Sequence, residues 1–221
     1  MKPKIIIYGN GKFAQLVLET LKLVDRFEPV AITADEEHIK SRELMGLKVV
    51  EFSKIKDLYP PSEFKMLTAI GYGSLRARAN AFNKGKDLGY TMPNLIAPTA
   101  RVYDSLELGE NNLIFDNSYI GAYGKLGDNN IIRPNTYLGH DFVIGNHVYI
   151  SPGTNIAGHC RIDDLSFLGL GSLVVGGVHI ANETLLGAGA LLTKSSEPFG
   201  LYLGSPAKLA SHHQEKGINI N

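Results

Sequence analysis

The sequence predicts a chain of two parts: a small α/β domain over residues 1–94, and a parallel β-helix of about five coils that starts at residue 95 and ends in a C-terminal cap. Two observations support this prediction. Every sixth residue from Ile96 to Leu192 is Ile, Leu or Val, seventeen times in succession. The first part of the chain instead alternates short aliphatic runs with stretches of helical spacing. The second domain therefore covers residues 95–221.

The N-terminal residues are predicted to form a small parallel sheet, because buried strands and helices alternate there. The strands are expected over residues 4–9, 29–33, 47–52 and 64–71. The helices are expected over residues 14–24 and 74–89, the second stopping at Gly89.

The turn after the first strand matches the pattern G-x-G-x-x-A, in the residues GNGKFA that begin at Gly9. Glycines there let the backbone approach a phosphate, and the N-terminus of the following helix favours negative charge. Asp35 follows the second strand, where a ribose-binding carboxylate is expected. A second βαβαβ half is missing, so a nucleotide or nucleotide-sugar site is favoured over a redox dinucleotide site. A tight turn without a ligand is the alternative.

The hexads from residue 96 onward predict the coils. Each hexad supplies one short strand and one corner, and three hexads close a triangular coil. The first residue points inward. The second is often Gly, which suits backbone that turns or approaches another chain closely. The fifth also faces inward and is mostly small: Ala100, Ser118, Gly124, Thr136, Thr154, Cys160, Ser166, Ser172, Thr184 and Ala190. After Leu192 a cap is expected, followed by a polar, mobile tail.

Composition limits the partners and the compartment. Lys and Arg number 22, and Asp and Glu number 22, so nucleic acid and anionic membranes are not expected as partners. The single cysteine, Cys160, excludes an internal disulfide and is expected to be a buried structural thiol. No signal peptide and no apolar run of about 18 residues is present, so a cytoplasmic protein is expected.

A general base for group transfer is sought among the histidines of the repeat region, since imidazole titrates near neutral pH. Residues eighteen apart stack on successive coils about 4.8 Å apart. His140 would lie between Ala122 and Gly158, whose small size leaves room beside the ring. Asp141 follows, and a carboxylate there could orient the ring and stabilise its charged form. The remaining histidines of the repeat region are His147, His159 and His179, and we expect them to be ordinary surface or interface residues. A pair between His159 and Asp141 is the alternative.

These features resemble the left-handed β-helix acyltransferases of the hexapeptide-repeat superfamily. Within it they are most similar to bacterial sugar acetyltransferases, both UDP-4-amino-sugar N-acetyltransferases and sialic acid O-acetyltransferases, whose N-terminal domain is Rossmann-like. The resemblance lies in the stretches IIIYGNGKFA, TADEE, AIGYGSLR, YLGHDFVIGNHVYISPG, LGAGALL and GSPAK. It implies a left-handed helix and a homotrimer with active sites between subunits.

The resemblance also implies roles for individual residues. The catalytic pair would be His140 and Asp141. A backbone N–H of Gly158 would face the thioester carbonyl. Acetyl-CoA would be bound by Gly158, His159, Ala188, Pro206 and Lys208. The nucleotide sugar would be bound by Gly9, Asn10, Gly11, Lys12, Asp35, Gly71 and Tyr72.

The function hypothesis that follows is acetyl-CoA-dependent N-acetylation of an amino sugar linked to UDP, dTDP or GDP, by direct attack without an acyl-enzyme. Sugar O-acetylation would use the same residues. A non-catalytic nucleotide-binding or scaffold protein is a further alternative, disfavoured by the His140–Asp141 pair and the GSPAK ending. A metal-dependent carbonic anhydrase is disfavoured because no H-x₄-H pair is present. No metal cofactor is expected.

Overall fold

The computed structural model describes residues 1–220. The chain divides into two compact units. The first comprises Met1–Gly71 and Ala77–Leu95, and the second comprises Tyr72–Arg76 and the chain from Ile96 onward. No helix within the described residues is both long enough and apolar enough to cross a membrane.

The first unit is built on a five-stranded sheet. The strands are β1 (Lys4–Tyr8), β2 (Glu28–Ala34), β3 (Glu43–Leu44), β4 (Leu47–Glu51) and β5 (Lys65–Thr68), and the helices are α1 (Lys12–Val24), α2 (Ile55–Leu58) and α3 (Leu75–Asp87). The strand order is β3-β4-β2-β1-β5. The predicted parallel sheet is confirmed, with one antiparallel pair at the β3 edge. Strand β3 and helix α2 were not predicted.

The turn from β1 into α1 requires glycine at its first position. Gly9 has φ +136°, and a Cβ there would lie 2.5 Å from the carbonyl oxygen of Ala69. Ile5, Ile6 and Ile7 of β1 are fully buried. The carboxyl end of β1 is therefore tightly fixed, and the glycine turn follows directly after it.

The second unit is a parallel β-helix whose strands form three faces. The first face holds β6 (Leu95–Ile96), β9 (Leu113–Ile114), β12 (Ile131–Ile132), β15 (Tyr149–Ile150), β18 (Phe167–Leu168), β21 (Leu185–Leu186), β23 (Gly200–Gly204) and β24 (Ala207–His212). The second face holds β7 (Arg101–Val102), β10 (Tyr119–Ile120), β13 (Tyr137–Leu138), β16 (Asn155–Ile156), β19 (Leu173–Val174) and β22 (Leu191–Leu192). The third face holds β8 (Glu107–Leu108), β11 (Lys125–Leu126), β14 (Val143–Ile144), β17 (Arg161–Ile162) and β20 (His179–Ile180).

The register confirms the six-residue period. Tyr137 pairs with Asn155, so equivalent residues on successive coils are eighteen apart. First-position residues such as Ile120, Leu138 and Ile156 are completely buried. Burying one such side chain stabilises the fold by about 1.5–3 kcal/mol relative to leaving it exposed. Fifth-position residues from Asn112 onward are buried as predicted, with Thr154 at 0% exposure, whereas Ala100 in the first coil is half-buried.

Glycine at the second position of the hexads has a specific cause. A Cβ on Gly121 would lie 2.3 Å from the carbonyl oxygen of Gly139, and one on Gly139 would lie 2.4 Å from the backbone nitrogen of Gly158. Glycine at this position therefore lets the backbone of one coil approach the backbone of the next coil of the same chain.

The fourth position of every hexad from residue 111 to residue 189 has left-handed backbone, with φ between +50° and +75°. Asn and Gly predominate there, as expected for residues that tolerate this conformation. The members of this column are Asn111, Asn117, Tyr123, Asn129, Asn135, Asp141, His147, Gly153, His159, Leu165, Gly171, Gly177, Glu183 and Gly189. Each corner therefore turns at the same position of its hexad.

Side chains satisfy the third-position N–H groups in the corners between the third and first faces. Oδ1 of Asp128 accepts from the Glu110 N–H at 2.7 Å. Oδ1 of Asn146 accepts from the Asp128 N–H at 2.8 Å, and Oδ1 of Asp164 accepts from the Asn146 N–H at 2.7 Å. These corners are therefore closed by a ladder of side-chain acceptors.

The C-terminal segment closes the last coil, as predicted. Strand β23 extends the first face and pairs antiparallel with β24. The residues that follow were expected to be a mobile tail, but Ile218 is only 4% exposed and Asn219 bridges Ser74. Arg76 explains this difference, because it donates to both carboxylate oxygens of buried Glu183 at 2.8 Å and to the carbonyl of Gln214 at 3.0 Å.

We predict that Gly121→Ala lowers the midpoint of thermal unfolding by about 2–12 °C, because the new methyl group overlaps the next coil and overpacking costs about 1–3 kcal/mol. Gly73→Ala is the matched control, since a Cβ there meets no atom within 4 Å. Differential scanning calorimetry would measure both. Equal midpoints for the two variants would contradict the account of coil spacing.

Candidate active site

His140 and Asp141 form a hydrogen-bonded pair in the corner between the second and third faces. The Nδ1–H of His140 donates to Oδ2 of Asp141 at 2.7 Å. The two side chains are 59% and 45% exposed, so a substrate can reach them. In a neutral ring with its proton on Nδ1, Nε2 has a lone pair and can accept a proton.

The backbone of the pair is fixed by the coil. Asp141 occupies the left-handed fourth position with φ +55°. Its N–H donates to the carbonyl oxygen of Ala122 at 3.0 Å, and the carbonyl of His140 accepts from the N–H of His159 at 3.0 Å. The pair is therefore held from the coil on each side of it.

Gly158 provides open space beside the base. A Cβ at this position would lie 3.0 Å from both Nε2 and Cε1 of His140. The predicted small neighbour thus leaves free the space directly beside Nε2, and any side chain there would occupy the room that a substrate needs.

The N–H of Gly158 makes no hydrogen bond within the described part of the chain. In the corners between the third and first faces, a side chain on the next coil accepts from the equivalent N–H. The next residue in this column is Gly176, which has no side chain to do so. This corner therefore combines an available base with an available backbone donor.

His159 contacts the pair through its ring. The rings of His140 and His159 meet edge to face, with centroids 4.8 Å apart. The alternative pairing of His159 with Asp141 is not the one observed, because His140 makes the hydrogen bond. Ligand atoms of these three residues lie within 4.8 Å of one another, so they are the described group best able to hold a metal ion.

Cys160 lies directly after His159 but faces the interior. It is 2% exposed, and its Sγ–H donates to the carbonyl oxygen of Val175 at 3.2 Å. Burial raises the pKa of the thiol, so the nucleophilic thiolate is disfavoured. The structure places this thiol in the core, as predicted.

Two further histidines have side-chain partners elsewhere on the coils. Nδ1 of His147 lies 2.9 Å from Nδ2 of Asn129. Nε2 of His179 lies 2.7 Å from Oδ2 of Asp163, whose other oxygen accepts from Arg161 at 2.8 Å. Both histidines have local partners that account for them, in line with the expected structural role.

The predicted nucleotide residues largely converge in the first unit. A cleft of about 410 Å³ is lined by Gly9, Asn10, Gly11, Asp35 and Gly71, among others. The amide of Asn10 donates to the carbonyl oxygen of His38 at 2.8 Å, which fixes one wall. The cleft opens at the carboxyl ends of parallel strands, where ligands bind in open α/β sheets.

Lys12 and Tyr72 lie outside that cleft. Lys12 is exposed, and its ammonium donates to Gln15 at 3.4 Å. Tyr72 belongs to the second unit, where its ring contacts Tyr149 with centroids 5.0 Å apart. Sequence order alone put Tyr72 beside Gly71, but the chain passes from one unit to the other between these two residues.

Tyr72 is part of an aromatic groove on the first face that was not predicted. The groove measures about 490 Å³ and also includes stacked Tyr149 and Phe167, whose centroids are 5.1 Å apart. Ala188 lines it and follows β21, at the corner between the first and second faces. Ala188 is thus at a different corner from His140.

Pro206 and Lys208 lie in the C-terminal hairpin. Both are exposed: Pro206 lies between the two strands and Lys208 is in β24. Neither residue is close to His140 in sequence. Any role beside a coenzyme therefore remains a prediction.

Comparison with known proteins gives two family matches. The PglD N-terminal domain matches residues 4–83, and the six-repeat bacterial transferase hexapeptide family matches residues 123–158. No curated protein sequence matches the chain significantly.

Solved structures match over nearly the whole chain. A histidine-to-asparagine variant of perosamine N-acetyltransferase from Caulobacter crescentus, in complex with CoA and GDP-perosamine, is 28% identical, with TM-score 0.86 over 94% of this chain and 97% of that one. The acetyltransferase domain of PglB from Neisseria gonorrhoeae is 23% identical, with TM-score 0.85 over 95% and 100%. WeeI from Acinetobacter baumannii is 22% identical, with TM-score 0.80 over 93% and 98%.

The repeat and the fold define the class: the second unit is a hexapeptide-repeat β-helix, which the bacterial transferase hexapeptide family matches over residues 123–158, and the chain is an acyltransferase. Its first unit is similar to the PglD N-terminal domain over residues 4–83, and the coils follow that domain.

We predict that Cys160 does not react with a thiol reagent such as dithionitrobenzoate until the protein unfolds, because the thiol is buried and its pKa is raised. The absorbance of released thionitrobenzoate would measure this, and the chain has one cysteine to account for. The unfolded protein in guanidinium chloride is the control. Stoichiometric reaction of the native protein within seconds would contradict the assignment.

Proposed function

We propose that the chain is an acetyl-CoA-dependent N-acetyltransferase that acts on the amino group of a nucleotide-linked amino sugar. One observation supports this most directly: glycine at position 158 leaves open the space directly beside Nε2 of His140, and the N–H of Gly158 makes no hydrogen bond within the described residues. A base and an oxyanion donor are the two groups that acyl transfer from a thioester needs.

The proposed reaction is a direct attack. The sugar amine adds to the carbonyl carbon of the thioester, and its proton passes to Nε2 of His140. The C–N bond forms, the C–S bond breaks, and coenzyme A leaves as the thiol after taking up the proton. Asp141 holds Nδ1–H and stabilises the imidazolium that forms, as in other His–carboxylate pairs.

Gly158 is proposed to stabilise the oxyanion of the tetrahedral intermediate through its N–H. A backbone donor of this kind is worth about 10²–10³ in turnover in other acyl-transfer enzymes. His159, Ala188, Pro206 and Lys208 are proposed contacts of the coenzyme. Ala188 would have to act from its own corner, which a second copy of the chain could bring to His140.

A homotrimer is also proposed, because its interfaces would cover groups that are exposed in a single chain. The catalytic pair is about half exposed in one chain, whereas acyl transfer is favoured by a site that excludes water. Apolar side chains are also exposed near the second face: Tyr123, Tyr137, Leu173 and Val175. Association through this face would cover them, and cyclic symmetry would repeat the site three times.

The acceptor is proposed to be a nucleotide-linked amino sugar held by the first unit. The cleft beside Gly9 and Gly11 lets backbone approach a phosphate, and α1 begins immediately after it. Perosamine N-acetyltransferase, at 28% identity, was solved with GDP-perosamine in its complex. That relative supports both the sugar nucleotide and the amine as acceptor.

The test is release of free thiol from acetyl-CoA in the presence of UDP-, dTDP- and GDP-linked amino sugars. We expect turnover with at least one of them and a loss of about 10²–10⁴-fold in kcat for His140→Ala, the usual contribution of a general base. His147→Ala is the matched control and is expected to keep wild-type activity, because His147 contacts Asn129 rather than the pair.

Other outcomes would contradict specific parts of the proposal. Turnover only with hydroxyl-bearing sugars would make the chain an O-acetyltransferase with the same base. Activity retained in His140→Ala would remove His140 from its role. Absence of thiol release with every acceptor would favour a non-catalytic nucleotide-binding protein.

A further inference from the structure

The nucleotide cleft contains a charged pair that no sequence pattern indicated. Asp35 follows β2, and Lys84 is on α3, 49 residues further along the chain. The ammonium of Lys84 donates to both carboxylate oxygens of Asp35 at 3.1 Å. Both residues line the cleft, and their side chains are 28% and 40% exposed for Asp35 and Lys84 respectively.

Neighbouring aromatic residues hold this pair in place. The hydroxyl of Tyr8 donates to the two oxygens of Asp35 at 3.1 and 3.2 Å. The ring of Tyr8 stacks on Phe52, with centroids 4.4 Å apart, and the ammonium of Lys84 lies 5.9 Å from the same Phe52 ring. The carboxylate is therefore oriented before any ligand arrives, which reduces the entropic cost of using it.

The pair can exchange its internal contacts for contacts to a ligand. An ionised carboxylate offers about four lone-pair sites, and Tyr8 and Lys84 each contact both oxygens of Asp35. Lys84 has three N–H donors, so it can turn to an acceptor on a ligand and leave acceptor sites of Asp35 to donors on the same ligand. The cleft thus presents two acceptor oxygens with one cationic donor beside them.

This arrangement fits one nucleobase edge best. Guanine presents two adjacent donors, N1–H and N2–H, next to the O6 acceptor, so Asp35 can accept both donors while Lys84 donates to O6. Uracil and thymine present one donor between two carbonyl oxygens, so one carbonyl would face a carboxylate oxygen. Adenine would place the N1 lone pair against the carboxylate. Bidentate contacts of this kind distinguish bases in nucleic-acid recognition.

We infer that Asp35 and Lys84 are specificity-determining residues that select guanine, and that the acceptor is a GDP-linked amino sugar. This inference rests on the proposed function, since it assumes that the cleft binds a sugar nucleotide. It differs from a contact between Asp35 and the ribose hydroxyls, because ribose contacts would be the same for every base.

Isothermal titration calorimetry of the full-length protein with GDP, UDP, dTDP and ADP tests the inference. We expect GDP to bind about tenfold or more tightly than the other three. Asp35→Asn should weaken GDP by about the same factor and leave UDP unchanged or tighter, because an amide offers uracil one acceptor and one donor. Lys84→Gln should also weaken GDP more than UDP.

Matched controls separate recognition from folding. Lys56→Gln removes an exposed lysine on α2 that does not line the cleft, and it should leave all four affinities unchanged. Thermal unfolding of each variant would show that the first unit is intact. A purely structural role for the pair predicts equal weakening of every nucleotide in Asp35→Asn and Lys84→Gln.

The outcomes also separate this inference from the proposed function. Equal affinities for the four nucleotides, or equal weakening in the variants, would overturn guanine selection while leaving the nucleotide site in place. Tighter binding of UDP or dTDP than of GDP would do the same. Absence of binding by all four would overturn both the inference and the assignment of the cleft.

Discussion

Each face of the β-helix has to turn within six residues, and the structure depends on how that turn is made. The fourth residue of each hexad takes left-handed backbone, while the second lies against the next coil at a distance that excludes a Cβ. Left-handed backbone costs a non-glycine residue about 1–2 kcal/mol, and Asn and Gly bear it most easily. Repeating one geometry on every coil lets the inward aliphatic residues stack into a continuous core that offsets these costs.

The candidate site keeps that backbone repeat and differs in the side chains of its corner. Asp141 and His159 occupy fourth positions, so the backbone cost is borne where the chemistry is proposed. Third positions in the corners between the third and first faces carry Asp or Asn side chains that accept from the coil below. In the corner of His140, the two following coils have Gly158 and Gly176 instead. Replacing acceptors by glycines leaves both a backbone N–H and the space beside Nε2 available to a ligand.

The sequence predicted the features that depend on a short period. The coils, the buried first and fifth positions and the neighbours of His140 all follow from counting sixes and eighteens. The left-handed fourth position was not predicted, because six of the fourteen residues in that column are neither Asn nor Gly. Contacts between distant segments could not be predicted: Lys84 reaches Asp35 across 49 residues, and Arg76 reaches Glu183 across 107. Neither periodicity nor a motif encodes which side chain of a helix will meet a given loop.

The central claim is that Asp141 holds the His140 ring so that Nε2 can act as a base. The most direct measurement is the steady-state kinetics of acetyl transfer for Asp141→Asn, beside the wild type. Asn suits left-handed backbone and has the same shape, so the corner should keep its geometry while the carboxylate is lost. The account predicts a fall in kcat of about 10²–10⁴-fold with the KM for acetyl-CoA nearly unchanged. A wild-type kcat in this variant would contradict the claim.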